Sequence, residues 1–286
     1  MLTCVILNYN DYESVILLYE KIKSYEVIDL FILVDNLSTD NSFEKLKKLE
    51  NKKTKVIKSD KNGGYGYGNN IGLRYSKEVN ADYAIVCNPD TEFSEKAIVN
   101  SLKIIKDNEK CVAVSPKVNI GDIAYKFATP FGEICYSSLL LNKIVKARSY
   151  PYTYFLGKEI VNVDVIPGSF TIFDINKFIE CGLYDEEFFL YHEEIVIGTK
   201  FKNSGYIQQI NMNEEYIHKH HISVNKTYKS EIQVKKMVLK SHRLYMKKYL
   251  KVSKLTLFLF DFMRPINLLE LFIWSNLKKM ITKLKS

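Results

Sequence analysis

The sequence is short of the residues that mark disulfide-bonded and low-complexity proteins. Its 286 residues include only 5 cysteines, 6 prolines, 12 glycines and 1 tryptophan. The cysteines are widely spaced and form no Cys-x-x-Cys pair, which argues against a disulfide framework or a zinc site and favours a reducing cytosol. The opening apolar run, 2–7, is too short for a signal peptide and has no basic flank. We therefore predict a cytoplasmic protein.

An excess of one charge sign is also missing from most of the chain. The sequence has 41 Lys and Arg and 33 Asp and Glu, a net charge of +8. Residues 240–286 contain 11 Lys and Arg but only Asp261 and Glu270, so their net charge is +9. The first 239 residues therefore hold 30 basic and 31 acidic residues. A neutral body with a basic tail is not the pattern of a nucleic-acid-binding protein, and we expect no nucleic-acid partner.

Short apolar runs alternate with amphipathic stretches through the first half of the chain. The runs, rich in Val, Ile, Leu and Phe, predict buried strands at 3–9, 28–35, 55–58, 83–87 and 112–115. The stretches between them predict helices at 11–24, 41–49, 69–77 and 94–108, with Ser94 as an N-cap. This alternation predicts an α/β fold, with a mostly parallel, Rossmann-like sheet and helices on both faces.

The second half is less regular. The pattern is weak over 116–162 and resumes with apolar runs at 163–166 and 168–174, a short helix from Ile175 and a stronger helix at 193–203. Two further helices are predicted at 234–249 and 255–284, the second broken at Pro265 because proline lacks a backbone N–H. We therefore divide the chain into a domain, 1–228, and a basic, amphipathic helical extension, 229–286.

Polar residues crowd where the predicted strands end. In parallel sheets, ligands bind beyond the carboxyl ends of the strands. The residues at those ends are Asn8, Tyr9 and Asn10 after the first strand, Asp35 and Asn36 after the second, and Asn88 and Asp90 after the fourth. A carboxylate such as Asp35 can accept a hydrogen bond from the N–H of a nucleobase. Segment 35–40 is, however, also typical of a turn with a helix cap.

Glycines are concentrated in one place. Segment 62–72 holds five of the twelve, including Gly63 and Gly64, and contains Asn69. Such a loop entering a helix lets the backbone approach a diphosphate. It is not a Walker loop, because no Gly-Lys-Ser/Thr follows. A mobile loop without a ligand is the alternative interpretation.

Two segments indicate a metal. Magnesium and manganese prefer oxygen ligands, which Asp90 offers, although a lone aspartate after a strand is often a turn residue. His218 opens a run, 218–223, that holds three of the five histidines. Imidazole completes metal shells or contacts phosphate, while a solvated turn is the alternative for this run.

Segment 185–194 is acidic and aromatic and precedes a predicted helix. It contains Asp185, Tyr191, Glu193 and Glu194. Carboxylates in a first turn interact favourably with the helix dipole, which is one explanation. The other is that a glutamate held beside aromatic rings acts as a general base. Successive helix positions point about 100° apart, so Glu193 and Glu194 cannot have the same role.

Taken together and in this order, these segments resemble the inverting glycosyltransferases of family 2, which have the GT-A fold. The resemblance extends from residue 1 to about 225. Segment 34–42, Val-Asp-Asn-Leu-Ser-Thr-Asp-Asn-Ser, is similar to the family's signature, and 88–90, Asn-Pro-Asp, is similar to the metal motif of rhamnosyl- and galactofuranosyltransferase-like members. The Glu193-Glu194 pair aligns with the family's Glu-Asp pair, and 218–223 fits its late histidine motif.

The resemblance implies roles for individual residues. Glu194 would be the catalytic base, and Asp90 with His218 would hold Mn²⁺ or Mg²⁺. The implied donor-binding residues are Asn8, Tyr9, Asn10, Asp35, Asn36, Gly63, Gly64, Asn69 and Asn88, and the implied acceptor-side residues are Gly168, Asp185, Tyr191 and Glu193. Three positions depart from the family pattern, since Glu194 replaces an aspartate, while Val196 and Lys200 replace residues that are commonly acidic and arginine.

The implied function is transfer of a sugar from a dTDP- or UDP-sugar to a hydroxyl of a glycan or lipid-linked glycan in bacterial surface polysaccharide synthesis. Two alternatives remain open. A catalytically impaired or non-catalytic protein that binds nucleotide sugars would explain the changes near Glu194. A nucleotidyltransferase would share the sheet and the metal, but should have a basic triphosphate loop early in the chain, whereas segment 8–11 is not basic.

The tail has a pattern of its own. Segment 255–274 is rich in Leu and Phe, but its charged residues and Pro265 make a membrane span improbable. With Trp274 and the basic run 278–285, it predicts an interfacial helix on anionic lipid at the inner face of the cell membrane. The alternative is a helix packed on the domain or on a second subunit of a homodimer.

Overall fold

A nine-stranded sheet forms the centre of this computed structural model, which describes residues 1–219 and 230–285. The strands are β1 Leu2–Asn8, β2 Leu30–Asp35, β3 Thr54–Lys58, β4 Tyr83–Cys87, β5 Thr91–Glu92, β6 Cys111–Val118, β7 Ile160–Val163, β8 Phe170–Asp174 and β9 Ile207–His218. The helices in the described residues are α1 Tyr12–Ile22, α2 Ser42–Lys47, α3 Gly64–Glu78, α4 Glu95–Lys106, α5 Pro130–Ser137, α6 Leu139–Val145, α7 Ile175–Glu180, α8 Glu193–Asn203, α9 Glu231–Lys248 and α10 Lys254–Lys285, with a 3₁₀ turn at Tyr152–Tyr154.

The sheet order is β3-β2-β1-β4-β8-β6-β9-β5, and β7 also pairs with β9. The first four strands in this order are parallel to one another. β8 is antiparallel to both of its neighbours, β4 and β6, while β6 and β9 are parallel. The short strands β5 and β7 are antiparallel to β9. The predicted α/β fold is therefore confirmed, while the sheet is mixed, with four parallel and four antiparallel pairings among the described strands.

Helices cover both faces because successive strand residues point to opposite sides of a sheet. In β1, Cys4 and Ile6 face a core that includes Val15 of α1 and Leu102 of α4. Val5, between them in sequence, faces a second core that contains residues of α3 and α7. Burial on both faces explains the uninterrupted apolar runs of the central strands. Ser94 caps α4 as predicted, accepting from the Ala97 N–H at 3.1 Å.

Two predictions about the helices were wrong. α3 begins at Gly64 and not near Asn69, so most of the glycine-rich segment is helical rather than a loop. The region 116–162, for which no helix was predicted or excluded, contains two short helices, α5 and α6. α10 continues through Pro265 without a break. The apolar inner side of α10, including Phe260, packs against α9 on both sides of that proline, which stabilises the helix there.

The helical extension packs closely on the sheet domain. Tyr245 of α9 is fully buried in a cluster with Val165, Phe188 and Val196. In α10, Phe260 is buried with Leu239 of α9 and residues of α5. The division at residue 228 remains a prediction. No helix in residues 1–219 and 230–285 is long and apolar enough to cross a bilayer.

Candidate active site

The carboxyl ends of β1 and β2 lie side by side and carry two predicted donor residues. Asn8 is opposite Asp35 in the strand register, and both are buried. Asn8 Nδ2 donates to Asp35 Oδ2 at 2.8 Å and to Ser38 Oγ at 3.0 Å. The second carboxylate oxygen, Asp35 Oδ1, accepts from the Ser38 N–H at 2.9 Å. The Asp35 carboxylate is thus held in one orientation at the carboxyl end of β2.

The turn after β1 is tied to the turn after β2 by Asn10. This residue has a φ of 53°, in the left-handed region that asparagine tolerates better than most residues. Its Oδ1 accepts from the Thr39 N–H at 2.8 Å, and its own N–H donates to Ser38 Oγ at 3.0 Å. Tyr9 is half-buried in the same turn. The turn after β1, which carries Tyr9 and Asn10, is therefore held in place by the turn after β2.

Asn36 connects β2 to the glycine-rich segment. Its Nδ2 donates to Asn62 Oδ1 and to the Gly64 carbonyl, each at 3.1 Å. Asn62 Oδ1 also accepts from the Gly64 N–H at 3.2 Å. These bonds hold the N-terminus of α3, with Gly63 at its N-cap position, against the end of β2. A helix N-terminus can bind a phosphate, but here the Gly64 N–H is paired with Asn62 and the Tyr65 N–H donates to the Phe189 carbonyl at 2.9 Å.

The glycines of α3 are also required for packing. Gly64 has a φ of 88°, and a Cβ there would lie 1.9 Å from the Phe189 carbonyl oxygen. A Cβ at Gly68 would lie 2.4 Å from the Leu7 side chain. α3 therefore approaches β1 more closely than larger residues allow. Asn69, beside Gly68, is fully buried. The glycine cluster is thus explained by helix packing whether or not it also contacts a ligand.

Asp90 and His218, the two predicted metal ligands, are in contact. β5 follows Asp90 and pairs with the end of β9, which places Thr91 opposite His218. His218 Nε2 lies 3.3 Å from Asp90 Oδ1, and these side chains are only 15% and 7% exposed. The later residues of the histidine motif, 220–223, lie outside the described residues.

A carboxylate beside an imidazole suits Mn²⁺ or Mg²⁺ when phosphate oxygens and water supply the remaining ligands. Among the residues described, no group of three or more His, Cys, Asp or Glu side chains could hold a metal by itself. The donor set therefore fits a metal that a bound diphosphate helps to coordinate.

One short backbone segment joins the metal side of the site to the acceptor side. The Asn88 N–H donates to the Ser169 carbonyl at 2.8 Å. The Gly168 carbonyl accepts from the Tyr65 hydroxyl at 2.7 Å, which links α3 to the same segment. A Cβ at Gly168 would lie 3.9 Å from the Glu194 Cβ. Residues predicted for donor, metal and acceptor thus meet around the loop between β7 and β8.

The two glutamates stand at the start of α8. The preceding residues, Tyr191 and His192, have φ values of 71° and 74°, a conformation that is uncommon for non-glycine residues. Burial and the charge of Glu194 raise the pKa of Glu193 well above its usual value. Burial also raises the pKa of Glu194, and the positive charge of Arg148 acts in the opposite direction. Burial therefore favours the neutral form of Glu193, and it makes the ionised form of Glu194 a stronger base than a glutamate in water.

Next to this pair lies a buried polar cluster that the sequence analysis missed. The Arg148 Nε donates to Glu133 Oε1 at 3.2 Å, and His242 Nε2 lies 2.6 Å from Glu133 Oε2. The His192 and His242 rings are 4.7 Å apart. Burial lowers the pKa of His192 well below its usual value and that of His242 to about 4.

One signal in the sequence could have pointed to this cluster. His242 lies three residues after Leu239 and four before Met246, on the buried side of α9. A histidine on the apolar side of a helix needs a polar partner inside the protein. That partner, Glu133, is 109 residues away in sequence and could not be named from spacing.

Comparison with known proteins decides the family. Residues 3–173 match the model of Glycosyl transferase family 2, which is more than half of the chain. The chain belongs to glycosyltransferase family 2. The low-salt glycan biosynthesis hexosyltransferase Agl10 of Haloferax volcanii is 31% identical to it over 199 residues. The alignment covers 68% of this family 2 chain and 59% of that relative, so the chain spans about three fifths of the relative's length.

Solved structures show that this family 2 chain has the GT-A fold. GalNAc-T7 with UDP, GalNAc and Mn²⁺ superposes with a TM-score of 0.61 at 14% identity, covering 76% of this chain and 43% of that one. The mannosyltransferase PcManGT of Pyrobaculum calidifontis, with GDP-Man and Mn²⁺, has a TM-score of 0.57 at 12% identity over 94% and 72%. TarS 1-349 of S. aureus with UDP has a TM-score of 0.53 at 13% identity over 88% and 75%.

Two residues that depart from the family 2 pattern, Val196 and Lys200, make specific contacts in the structure. Val196 is fully buried and belongs to the cluster around Tyr245 of α9, where an acidic side chain would lose its water. The Lys200 ammonium donates to the carbonyls of Gly182 and Leu183 at 3.1 Å and 2.7 Å. Both residues therefore have structural contacts in this chain.

Asp185, predicted on the acceptor side, contacts the helical extension. Its Oδ2 lies 2.7 Å from the Lys248 ammonium and accepts from the Tyr249 hydroxyl at 2.6 Å. Burial acts to raise the pKa of Asp185, but Lys248 and Tyr249 outweigh it and hold the pKa below its usual value. This carboxylate fastens the end of α9 to the segment that leads to Glu194.

Proposed function

We propose that this chain is a metal-dependent, inverting glycosyltransferase that uses a dTDP- or UDP-sugar. One observation carries the proposal. The Gly168–Ser169 segment contacts Asn88, two residues before Asp90, on one side and lies beside Glu194 on the other. A metal–diphosphate site and a carboxylate base on opposite sides of one loop are the two parts that sugar transfer from a nucleotide donor needs.

Glu194 is proposed as the base. Its carboxylate would take the proton of an acceptor hydroxyl while that oxygen bonds to the anomeric carbon and the bond from that carbon to the diphosphate oxygen breaks. A single displacement of this kind inverts the anomeric configuration. The raised pKa of Glu194 supports this role, because a stronger base accepts the proton more readily near neutral pH. The raised pKa of Glu193 supports the same assignment, because it disfavours a second negative charge beside Glu194.

The donor is proposed to lie across the ends of β1, β2 and β4. Asp35, fixed by Asn8 and Ser38, would contact the nucleobase of the donor. The N-terminus of α3 near Gly64 would approach the diphosphate. Mn²⁺ or Mg²⁺ held by Asp90 and His218 would neutralise charge on the departing nucleoside diphosphate. The Mn²⁺ in the GalNAc-T7 and PcManGT structures supports this choice of metal.

The acceptor is proposed to be a hydroxyl of a glycan or lipid-linked glycan in bacterial surface polysaccharide synthesis. It would enter beside Gly168, Tyr191 and Glu193. The glycan-biosynthesis relative of H. volcanii supports a glycan acceptor. A lipid-linked acceptor would place the enzyme in the cytoplasm, at the inner face of the cell membrane.

Calorimetric titration with UDP-, dTDP- and GDP-sugars, each with and without Mn²⁺, tests the donor side. We expect one of the first two to bind only in the presence of metal. Binding to none of the three would contradict the proposal. With the donor that binds, slow hydrolysis to the nucleoside diphosphate identifies a transferase. Release of pyrophosphate from a nucleoside triphosphate would favour the nucleotidyltransferase instead, and binding without any turnover would favour a non-catalytic protein.

A further inference from the structure

Helix α10 is apolar on two opposite sides, and only one of them is covered. The inner side packs on the protein, with Phe260 fully buried and Met263 and Leu268 against the same cluster. On the other side Phe258 and Phe262 are 65% and 64% exposed. A helix that is apolar all round is normally buried all round. The outer side of α10 therefore has the composition of a covered surface.

The exposed residues form one continuous stripe along the helix. They are Leu255, Phe258, Phe262, Ile266, Leu269 and Ile273, and each is at least 39% exposed. Steps of three and four residues keep successive side chains on one side of an α-helix. The charges of this part of α10 lie elsewhere, since Asp261 pairs with Arg243 and Arg264. We call this set the outer stripe.

Helix α6 packs against α10 and adds exposed apolar side chains of its own. Glu270 accepts from the Ser138 hydroxyl at 2.8 Å and from the Leu139 N–H at 2.8 Å, which fixes the start of α6 against α10. The Lys143 ammonium lies 4.4 Å from the centre of the Trp274 ring. On α6, Ile144 is 80% exposed. Two helices joined by specific polar contacts thus present apolar side chains to solvent together.

The charge around this surface is positive. Residues 240–286 have a net charge of +9, and α6 adds Lys143 with no acidic residue of its own. The sequence after the outer stripe continues with lysines at 278, 279, 283 and 285. A second copy of this chain would bring the same positive charge to the contact, which opposes dimerisation through this face. An anionic lipid surface complements both the apolar stripe and the charge.

We propose that the outer stripe of α10, together with α6, is a membrane-docking surface. α10 lies in the plane of the lipid headgroups with its outer stripe among the upper acyl chains, and the surrounding lysines contact anionic headgroups. At 1.5 Å per residue, the outer stripe from Leu255 to Ile273 is about 27 Å long. This surface gives access to lipid-linked acceptors if the transfer proposed above is correct, but docking does not depend on that reaction.

Vesicle flotation of the full chain tests the proposal. The probe is phosphatidylcholine vesicles with and without 30% phosphatidylglycerol (about that fraction suffices to make the surface anionic). The stripe variant carries Phe258→Glu, Phe262→Glu and Leu269→Glu. The control variant carries Leu17→Glu, Val99→Glu and Ile120→Glu, which are also exposed apolar positions and change the net charge equally.

We expect the wild-type and control proteins to float with the anionic vesicles, and the stripe variant to bind about a hundredfold more weakly or not at all. Equal flotation of stripe variant and wild type would overturn the proposal. So would equal losses in both variants, because added negative charge alone would then explain the result. A wild-type dimer in light scattering that the stripe variant dissociates would assign the surface to a second copy.

The assay needs neither donor nor metal. A failure to bind vesicles would therefore leave glycosyl transfer untouched, and a failure of transfer would leave docking untouched. Circular dichroism of all three proteins checks that the substitutions, which are at exposed positions, leave the fold unchanged.

Discussion

The donor side and the base side of this site are built in different ways. On the donor side, Asn8 donates a hydrogen bond to Asp35, and Asn36 donates one to the Gly64 carbonyl. Each oxygen of the Asp35 carboxylate has a hydrogen-bond partner. On the base side, within the described part of the chain, Glu193 Oε1, His192 Nε2 and His242 Nδ1 are buried without a hydrogen-bond partner.

The difference separates two tasks. Donor binding requires a rigid surface that costs little reorganisation, which mutual hydrogen bonds provide. Proton transfer requires groups whose pKa values differ from those in water, which burial provides at the expense of stability. The base side therefore holds two buried carboxylates with raised pKa values, whereas the Asn8, Asp35 and Asn36 side chains of the donor side are hydrogen-bonded, although Asn69 Oδ1 is buried without a partner among the described residues.

The largest effect should come from the base. Glu194→Gln keeps the size of the side chain but cannot accept the proton, so transfer should fall by about 10²–10⁴-fold. The nucleotide affinity should stay within about twofold of wild type, because the donor side is unaffected. A transfer assay and calorimetry measure the two quantities.

Glu193→Gln is the matched control for that substitution. Glutamine resembles a protonated glutamate, and burial together with the charge of Glu194 raises the pKa of Glu193, which favours that protonated form. Transfer should therefore fall less than about tenfold. If Glu193→Gln abolished transfer and Glu194→Gln did not, the two assignments would be reversed.

The metal position should have the next largest effect. Asp90→Asn removes the carboxylate charge beside His218, and Mn²⁺-dependent donor turnover should fall by about 10²-fold. Glu20→Gln, an exposed carboxylate of α1 that pairs with Lys23, is the control and should retain activity. A manganese titration of both variants distinguishes weaker metal binding from lost catalysis. Equal manganese dependence in Asp90→Asn and wild type would exclude Asp90 as a ligand.

On the donor side, Asp35→Asn should weaken nucleotide binding about tenfold or more, because it removes a charge that holds Asn8 and Ser38. Unlike the base variants, it should raise the donor KM more than it lowers kcat. A change confined to kcat would show that this side also takes part in chemistry.

The buried cluster should control the pH profile. Transfer should rise with pH through the pKa of Glu194, because only the ionised carboxylate accepts a proton. Replacing the pair in Glu133→Gln/Arg148→Met removes the positive charge that opposes the rise in the Glu194 pKa. The acid limb of kcat should therefore move to higher pH. Glu133→Gln alone keeps Arg148 and is the control, in which the limb should move less.

The smallest effect concerns stability. Because the pKa of Glu193 is higher in the folded protein than in the unfolded chain, the folded state binds the extra proton between those two values. Wild-type stability should thus fall as pH rises from the ordinary glutamate pKa toward the folded one. Glu193→Gln should remove this fall and raise Tm at pH 7 by about 2–4 °C. A Tm series in buffers from pH 4 to 8 measures it, and an unchanged slope would contradict the neutral state.

Much of the first half of the molecule could be predicted from sequence. The strands β1, β2 and β4 are buried on both faces and have near-continuous apolar runs, so they were predicted correctly, and the shorter, partly exposed β3 was also found. Asp35 and Asp90 were found because they follow such strands. The start of α3 was not, because Gly68 was interpreted as a loop residue when it is needed for close packing on Leu7.

The base side was harder to predict for a physical reason. Its parts come from α5, the segment after α6, the start of α8 and α9, and their contacts join residues such as Glu133 and His242 that are far apart in sequence. α5 and α6 are too short to show a clear period, and several of their apolar residues face solvent. Pro265 was interpreted as a helix end because tertiary packing, which stabilises α10 there, is not visible in sequence.

The contact between Glu133 and His242 also determines when the two parts of the site can form during translation, because the two residues are 109 positions apart in sequence. Domains generally begin to fold from the N-terminus as the chain emerges. The four parallel strands and the bonds around Asp35 need only the first part of the chain, so they can form early. The cluster beside Glu194 is complete only when α9 has been made and has docked. A ribosome-bound chain that ends before α9 would therefore hold the hydrogen bonds around Asp35 but not the completed cluster beside Glu194.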